Sequence, residues 1–433
     1  MHLAEAVNKA IEAHQAGQID QAAAIYDQLL YQLDKPNFEV IAGYGSILVA
    51  KEMFGIGITM LQTATRINER HPLAWTNLGV AYKFIGRDDL AIQAYDKAYA
   101  LDPNMPEVLA GIAGYWVGKD DPKKVEDFSR RALKLEKNFP AGHMHLGMAL
   151  LEQGRFQEAW PHYEYRWETP ERFRDKRPYN APKWDGEHVD VLAIHGEQGL
   201  GDEIMFMGLL RLAQKRVGSV VVECADRLIS TFRASFGVAC YPDHASLIVA
   251  EGEPDAYISM GSLPLVLGLP DGKPYLRRKI HKVGGRPRIG IAWKGGTART
   301  GGSDRSLHLS ALSPILNAID ATFVSVQYGD ESVDIEAAGY GLETGPRDFD
   351  SLHTRIAGCD FIVTVCQTAL HQAGAMGVPC VVLTPRKAPW VACEETCPWY
   401  ESVEFIRQQV DGDWSHPIEE TVALLKDRYR AAA

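Results

Sequence analysis

The sequence predicts a helical solenoid of short repeats followed by an α/β region built as two consecutive halves. Three observations carry that expectation. A self-similarity of about 34 residues runs to position 168. Near Val189 the text switches to strand-length apolar runs alternating with amphipathic helices, and after Gly285 the alternation restarts. The expected organisation is residues 1–168 as about five repeats, 169–188 as a linker, 189–284 as the first half, and 285–433 as the second half with a closing C-terminal helix.

Composition narrows the function classes. The chain has 433 residues, 46% hydrophobic and 23% charged, with a formal net charge of −11. That acidity argues against a main role in gripping nucleic acid or an anionic membrane, and leaves room for a local basic pocket. The N-terminal residues lack a basic segment followed by an apolar core, and no apolar stretch reaches the length that spans a bilayer, so a cytoplasmic protein is expected. Seven cysteines (224, 240, 359, 366, 380, 393 and 397) all fall in the second half of the chain, mostly inside apolar runs. They read as reduced, core-filling thiols. Cys393 and Cys397 lie four apart with no second pair or histidine to complete a zinc site, so no metal is expected.

The repeats are clearest from Pro72, where Trp75, Leu78, Gly79, Tyr82, Ala91, Tyr95, Ala98 and Pro103 stand. One repeat length on come Ile112, Ala113, Trp116 and Ala132, and after another come Leu146, Gly147, Leu150, Ala159 and Tyr163. Gly45, Leu48, Leu61 and Ala64 are in register behind, and Ala13, Gly17, Ala22 and Tyr26 fit a slightly longer first copy. This is the tetratricopeptide pattern. Small residues such as Gly79 and Ala98 let two antiparallel helices approach, and large ones fill the gaps between neighbouring pairs. Such arrays form a concave groove that usually holds an extended peptide or a partner protein. Asn77 and Tyr82, on a first helix, are the candidate contacts for a protein or peptide acceptor.

Pro170, Pro178 and Pro182 forbid continuous helix between Trp167 and His188, and Tyr179 and Trp184 imply a connector pinned to a surface. Strands are then expected at 189–195, 219–225, 238–242 and 256–260, and again at 288–295, 322–329, 359–365 and 379–385. Continuous Val/Ile runs suit parallel strands covered on both faces, which gives two Rossmann-like halves with ligands at the carboxyl ends of the strands.

Three patches would face a cleft there. In HGEQGLGDEIMF (195–206), Gly196, Gly199 and Gly201 permit a tight turn, and Asp202 opens a helix. Asp202 is either the cap of that helix or a general base at the cleft. The glycines do not form a dinucleotide fingerprint, so a nicotinamide enzyme is not expected. In TVCQTALHQAGAMGVP (364–379), a strand ends before Cys366, Gln367 and Thr368, and a small-residue helix begins. The free N–H groups of that helix suit a diphosphate, with Thr368 and His371 able to add contacts. His371 is otherwise a core histidine. The glycine-rich basic patch at 292–312 offers Lys294, Arg299 and Arg305 as an anion clamp, or is a solvated loop. Of two Asp-x-Asp triplets, Asp348–Asp350 reads as a helix start and Asp411–Asp413 as a loop.

Behind tetratricopeptide repeats, these patches resemble a bacterial family of repeat-fused glycosyltransferases. The α/β region is similar to the lipopolysaccharide heptosyltransferases, and distantly to the O-linked N-acetylglucosamine transferase, which places such repeats before a GT-B domain. The resemblance rests on EQGLGDEIMF (197–206), RSLHLSAL (305–312), the run ending AMGVP (375–379) and PWYESVEFIRQ (398–408). It implies a two-lobed GT-B-like pair of Rossmann-like domains and a nucleotide-sugar donor as substrate, with no other cofactor. Asp202 would be the base that activates the acceptor. Lys294, Arg305 and Ser306 would hold the donor from one side, Thr368 and His371 its diphosphate. Gly199, Gly201, Gln327, Gln367 and Ala369 complete the implied donor-binding set. Many relatives have aspartate-threonine where this chain has Cys366-Gln367.

The expected chemistry is metal-independent sugar transfer, with fixed donors stabilising the departing diphosphate. The acceptor is expected to be a protein recruited by the repeats. One alternative is a non-catalytic repeat scaffold with a degenerate nucleotide cleft, and another is a transferase acting on a lipid-linked saccharide.

Overall fold

The computed structural model describes residues 3–119, 121–169, 176–278, 285–296, 302, 304–329, 335, 342–343, 348–387 and 397–429. Arg299 and Cys393 lie outside them. The chain divides into two compact units, residues 1–176 and 177–433.

The first unit is five helical hairpins: α1 (Leu3–Gln15) with α2 (Ile19–Gln32), α3 (Phe38–Ala50) with α4 (Phe54–Ile67), α5 (Pro72–Phe84) with α6 (Asp88–Leu101), α7 (Pro106–Trp116) with α8 (Pro122–Leu135), and α9 (Pro140–Glu152) with α10 (Phe156–Tyr163). Proline opens α5, α7, α8 and α9, where a missing N–H costs nothing. Asn37, His71 and Asp121 accept from the N–H three residues on and cap α3, α5 and α8. The small positions work as packing requires. A Cβ at Gly79 would lie 2.9 Å from the Tyr95 ring, and one at Gly111 2.7 Å from Thr76 Cγ2. Neighbouring repeats are also tied by polar pairs, among them Asn77 Nδ2 to Ser46 Oγ at 2.6 Å, Lys51 with Asp20, and Lys119 with Asp88.

The second unit begins with the connector. Tyr257 donates its N–H to the Pro182 carbonyl and accepts from Trp184 N–H, so the connector lies along the edge of a sheet. Trp184 is 3% exposed, and the Tyr179 ring stacks on Tyr257 at 4.8 Å. The connector thus folds with the α/β region and is not a free linker.

The elements of this unit follow in order: β1 (Val191–His195), α11 (Leu200–Phe206), α12 (Leu210–Gln214), β2 (Ser219–Glu223), α13 (Ile229–Phe236), β3 (Ala239–Tyr241), α14 (His244–Glu251), β4 (Ala256–Ser259) and α15 (Leu263–Leu267). Then come β5 (Arg288–Ile291), α16 (Ser313–Leu316), β6 (Thr322–Ser325), α17 (Phe349–Ala357), β7 (Phe361–Val365), α18 (Thr368–Met376), β8 (Cys380–Thr384), β9 (Val403–Arg407) and α19 (Ser415–Tyr429). Two wholly parallel sheets result, in the orders β3-β2-β1-β4 and β6-β5-β7-β8-β9. All eight expected strands form. β9, noticed in the sequence only as part of a family motif, is a ninth. Among the described residues no helix is long and apolar enough to cross a membrane.

Candidate functional site

Strand order reverses between β1 and β4 in the first sheet and between β5 and β7 in the second. A crevice forms at the carboxyl ends of the strands at such a point, because the neighbouring loops lead to opposite faces. The predicted patches leave β1, β5 and β7, at these two places.

At the second sheet, the turn after β5 packs on the turn after β7. A Cβ at Gly295 would lie 2.6 Å from the Cys366 carbonyl oxygen and 3.2 Å from that of Arg305. Lys294 is exposed, and Arg305, Gln367 and Thr368 are half-buried, so four of the expected donor contacts gather around one turn. Helix α18 starts there from an extended Gln367 with no side-chain cap. Its first N–H groups have no intrahelical carbonyl to bond, apart from Leu370 N–H, which reaches the Gln367 carbonyl at 3.1 Å. Ala369 is buried beneath. Burial pushes the Cys366 thiol up to about 11, against the pull of Arg305, a hydrogen bond with Thr384, and the charge of Arg407. Arg407, at the end of β9, donates to the Arg386 carbonyl at 3.1 Å and its charge reaches this turn; the sequence reading missed it, because Val403–Arg407 reads as half polar.

Several expected contacts have other duties. Gln327 is 5% exposed and its amide is spent on backbone. Its Oε1 accepts from Trp293 N–H at 3.0 Å and Lys294 N–H at 2.9 Å, and its Nε2 donates to the Lys294 carbonyl. It shapes the turn after β5 and does not face a donor. The Ser306 hydroxyl accepts from Gly295 N–H at 3.0 Å and donates to the Gly302 carbonyl at 2.6 Å, so it is a loop tether. His371 is 9% exposed, its Nδ1 lies 3.0 Å from Tyr400 Oη, and its ring packs on Gly201, where a Cβ would lie 2.7 Å from Cδ2. Burial lowers its pKa to about 4, leaving a neutral imidazole. It is a packing residue between α11 and α18, not a phosphate contact. Gly201 is small for the same reason: a helix, not a ligand, comes close.

At the first sheet, Gly199 and not Asp202 is the residue before the helix. The half-buried Asp202 carboxylate reaches back to the Gly199 N–H at 3.1 Å, the second half of a capping box. Three buried glutamates brace the surrounding turns. Glu197 Oε1 accepts from Gly261 N–H at 3.0 Å, Glu203 Oε2 from Ala225 N–H at 3.0 Å, and Glu223 Oε1 from Arg177 Nε at 2.7 Å. Burial, helped by the charges of Glu223 and Asp202, pushes Glu203 up to about 7. No sequence signal marked these glutamates apart from the motif that contains two of them.

Asp348 caps α17 as expected, accepting from Ser351 N–H at 2.8 Å, and Asp350 accepts from Ser230 at 2.5 Å. Among the described residues no group of three or more His, Cys, Asp or Glu side chains is arranged to hold a metal ion. In the repeats, Tyr82 is buried with its hydroxyl accepting from Gln62, and Asn77 donates to Ser46. Both predicted acceptor contacts are therefore used between neighbouring helices.

Residues 72–105 match the tetratricopeptide repeat family. The chain is 23% identical to protein FlbA of Caulobacter vibrioides, in an alignment covering 86% of this chain and 70% of that protein, and so running through both units. A stretch covering 22% of this chain is 37% identical to the peroxisomal targeting signal receptor of Kluyveromyces lactis, of which it spans 16%. Among solved structures, a thermophilic TPR protein of Thermus thermophilus overlays on 40% of this chain and 93% of its own, with a TM-score of 0.35 and 16% identity.

Proposed function

We propose that residues 177–433 are a GT-B-type glycosyltransferase that takes a nucleotide-sugar donor, and that the repeats recruit a protein acceptor. The observation that supports this best is the meeting of two turns, one from each sheet. The turn at Thr368 supplies the backbone N–H groups of a helix start without a side-chain cap, a hydroxyl, and the charges of Lys294, Arg305 and Arg407, which suits a diphosphate leaving group. The first turn of α11 packs on α18 through Gly201 and His371 and carries the half-buried Asp202. A carboxylate there can take a proton from an acceptor hydroxyl while the sugar bond to the diphosphate breaks. The reaction needs charge stabilisation and one base, both of which side chains and backbone can provide.

The test is release of nucleoside diphosphate from a panel of nucleotide sugars, with Asp202→Asn beside the wild type. Asparagine keeps the acceptor oxygen that serves Gly199 N–H, so folding and nucleotide binding should hold while turnover falls about 10²–10⁴-fold. A variant as active as the wild type would leave Asp202 only its capping role. A second reading is a non-catalytic scaffold, favoured by the buried Cys366 where many members of the glycosyltransferase family that the sequence resembles have aspartate. Nucleotide binding without turnover of any donor, with or without protein or lipid-linked saccharide acceptors, would establish it.

A further inference from the structure

The segment from Gly272 to Arg278 binds both halves of the α/β unit. Toward the first half, Tyr275 Oη donates to the Ile204 carbonyl in α11 at 2.6 Å, and Arg277 N–H donates to Ser235 Oγ in α13 at 2.9 Å. Toward the second, Tyr275 and Leu276 both donate N–H to the Ala375 carbonyl in α18 at 2.9 Å. Arg278 donates to the carbonyls of Ala357 and Cys359, at 3.0 and 2.8 Å, and the Gly272 carbonyl accepts from Glu401 N–H.

A buried aromatic seam accompanies these bonds. Tyr275 stacks with Phe236 at 6.2 Å and with Tyr400 at 6.4 Å, Phe206 meets Trp399 edge to face at 5.6 Å, and His371 joins Tyr400 to Gly201. Glycines lie against three rings of the seam, Gly201 at His371, Gly208 at Tyr275 and Gly374 at Tyr400. A Cβ at Gly208 would lie 2.9 Å from the Tyr275 ring, and one at Gly374 2.3 Å from the Tyr400 ring. Hinging the halves apart would break the strap's bonds and hydrate Tyr275, Trp399, Tyr400 and His371 together. Such an event belongs with sub-global unfolding, not with the small motions of a loop.

We propose that Tyr275, His371 and Tyr400 are positioning residues that weld the two halves into one rigid body, with the Gly201–His371 contact fixing the gap between Asp202 and the Thr368 turn. The catalytic meaning of that gap rests on the function proposed above; the weld does not. The neutral state of His371 fits this role, since no charge on the imidazole favours opening the seam to water.

Native-state hydrogen exchange on the full chain tests the weld at the amides of Tyr275 and Leu276. They should exchange within about threefold of the slowest amides of β1 and β7, and adding UDP, GDP or ADP should not slow them further. Tyr275→Phe keeps the ring and removes the bond to Ile204, and Gly201→Ala forces a methyl against His371. Each should speed exchange at 275–276 by about tenfold or more while β1 and β7 stay protected. If Gly201→Ala fails to fold, Tyr275→Phe still decides. Wild-type amides at 275–276 that exchange about a hundredfold faster than the strands, or that are slowed by nucleotide, would show a hinge and overturn the weld.

Turnover of a nucleotide-sugar panel gives the positioning readout. Gly201→Ala should lower kcat about tenfold or more with KM within about twofold, because the base moves while the diphosphate cradle stays. A KM change with unaltered kcat would contradict the positioning role. If the wild type turns over no donor, the transferase reading fails and the exchange result still decides the weld.

Discussion

Glu203 sits four residues past Gly199, with Oε2 on the Ala225 N–H and Oε1 near Gly196, where a Cβ would lie 2.7 Å from it. Its pKa of about 7 reflects burial first and then the neighbouring charges of Glu223 and Asp202. The folded value is raised above the unfolded one, so the folded chain holds this proton more tightly. The protonated carboxyl is fully compatible with the fold below the unfolded pKa, and stability falls as pH rises through about 7. The shift corresponds to roughly 3 kcal/mol, with most of the loss expected between about pH 5 and 8. Glu203→Gln should remove that slope and be more stable than the wild type at pH 8. Urea denaturation at both pH values would show it, and parallel pH dependence in the two proteins would rule the account out. Single residues were the least legible part of this chain. The motif singled out Asp202, but a carboxylate three residues into a helix and one just before it look alike in the text. His371 could be placed one turn into its helix, yet nothing local tells whether its outer face meets solvent or Gly201, some 170 positions away in the sequence.

At the scale of elements, strands and repeats were legible because burial on both faces, or packing between helical pairs, dictates apolar text with a fixed period. Val191–His195 and Phe361–Val365 have that text. Val403–Arg407 does not, since at an edge Glu404 is exposed and the run reads as half polar. Side chains that shape turns from a distance were not legible either, and Gln327, bonded to Trp293 and Lys294 across two strands, is the clearest case. The turn it shapes gives a sharp prediction. A methyl at Gly295 would press on the Cys366 carbonyl, which is backbone and cannot rotate away. Gly295→Ala should cost about 1–3 kcal/mol and part the turns after β5 and β7. Thermal denaturation and calorimetric titration with nucleoside diphosphate should register both effects. If the variant binds nucleotide as tightly as the wild type, the anion site does not depend on that contact.

At the scale of the molecule, the repeats and the α/β unit have separate cores, and the connector decides where one may be cut from the other. A helical array is held by contacts between neighbouring hairpins, and the repeats have clusters of their own. The connector is different. Arg177 forms a salt bridge with Glu223, a glutamate 4% exposed, while Tyr179 and Trp184 cover the edge at Tyr257. A fragment starting at Arg177 should therefore fold with a single cooperative transition. One starting at Val189 loses the arginine and leaves a buried carboxylate without its cation, a change that costs about 3–5 kcal/mol in comparable cases. The two fragments separate structure from recruitment. If the repeats deliver a protein acceptor, the 177–433 fragment should still hydrolyse a nucleotide sugar slowly, as the full chain does, but lose transfer to the natural acceptor. Mass spectrometry of that acceptor after incubation with each form provides the measurement. Full-rate modification by the fragment would mean that the acceptor is recognised by the α/β unit itself, and the repeats would then need another partner. Loss of hydrolysis in the 177–433 fragment, with folding intact, would instead show that the repeats complete the site.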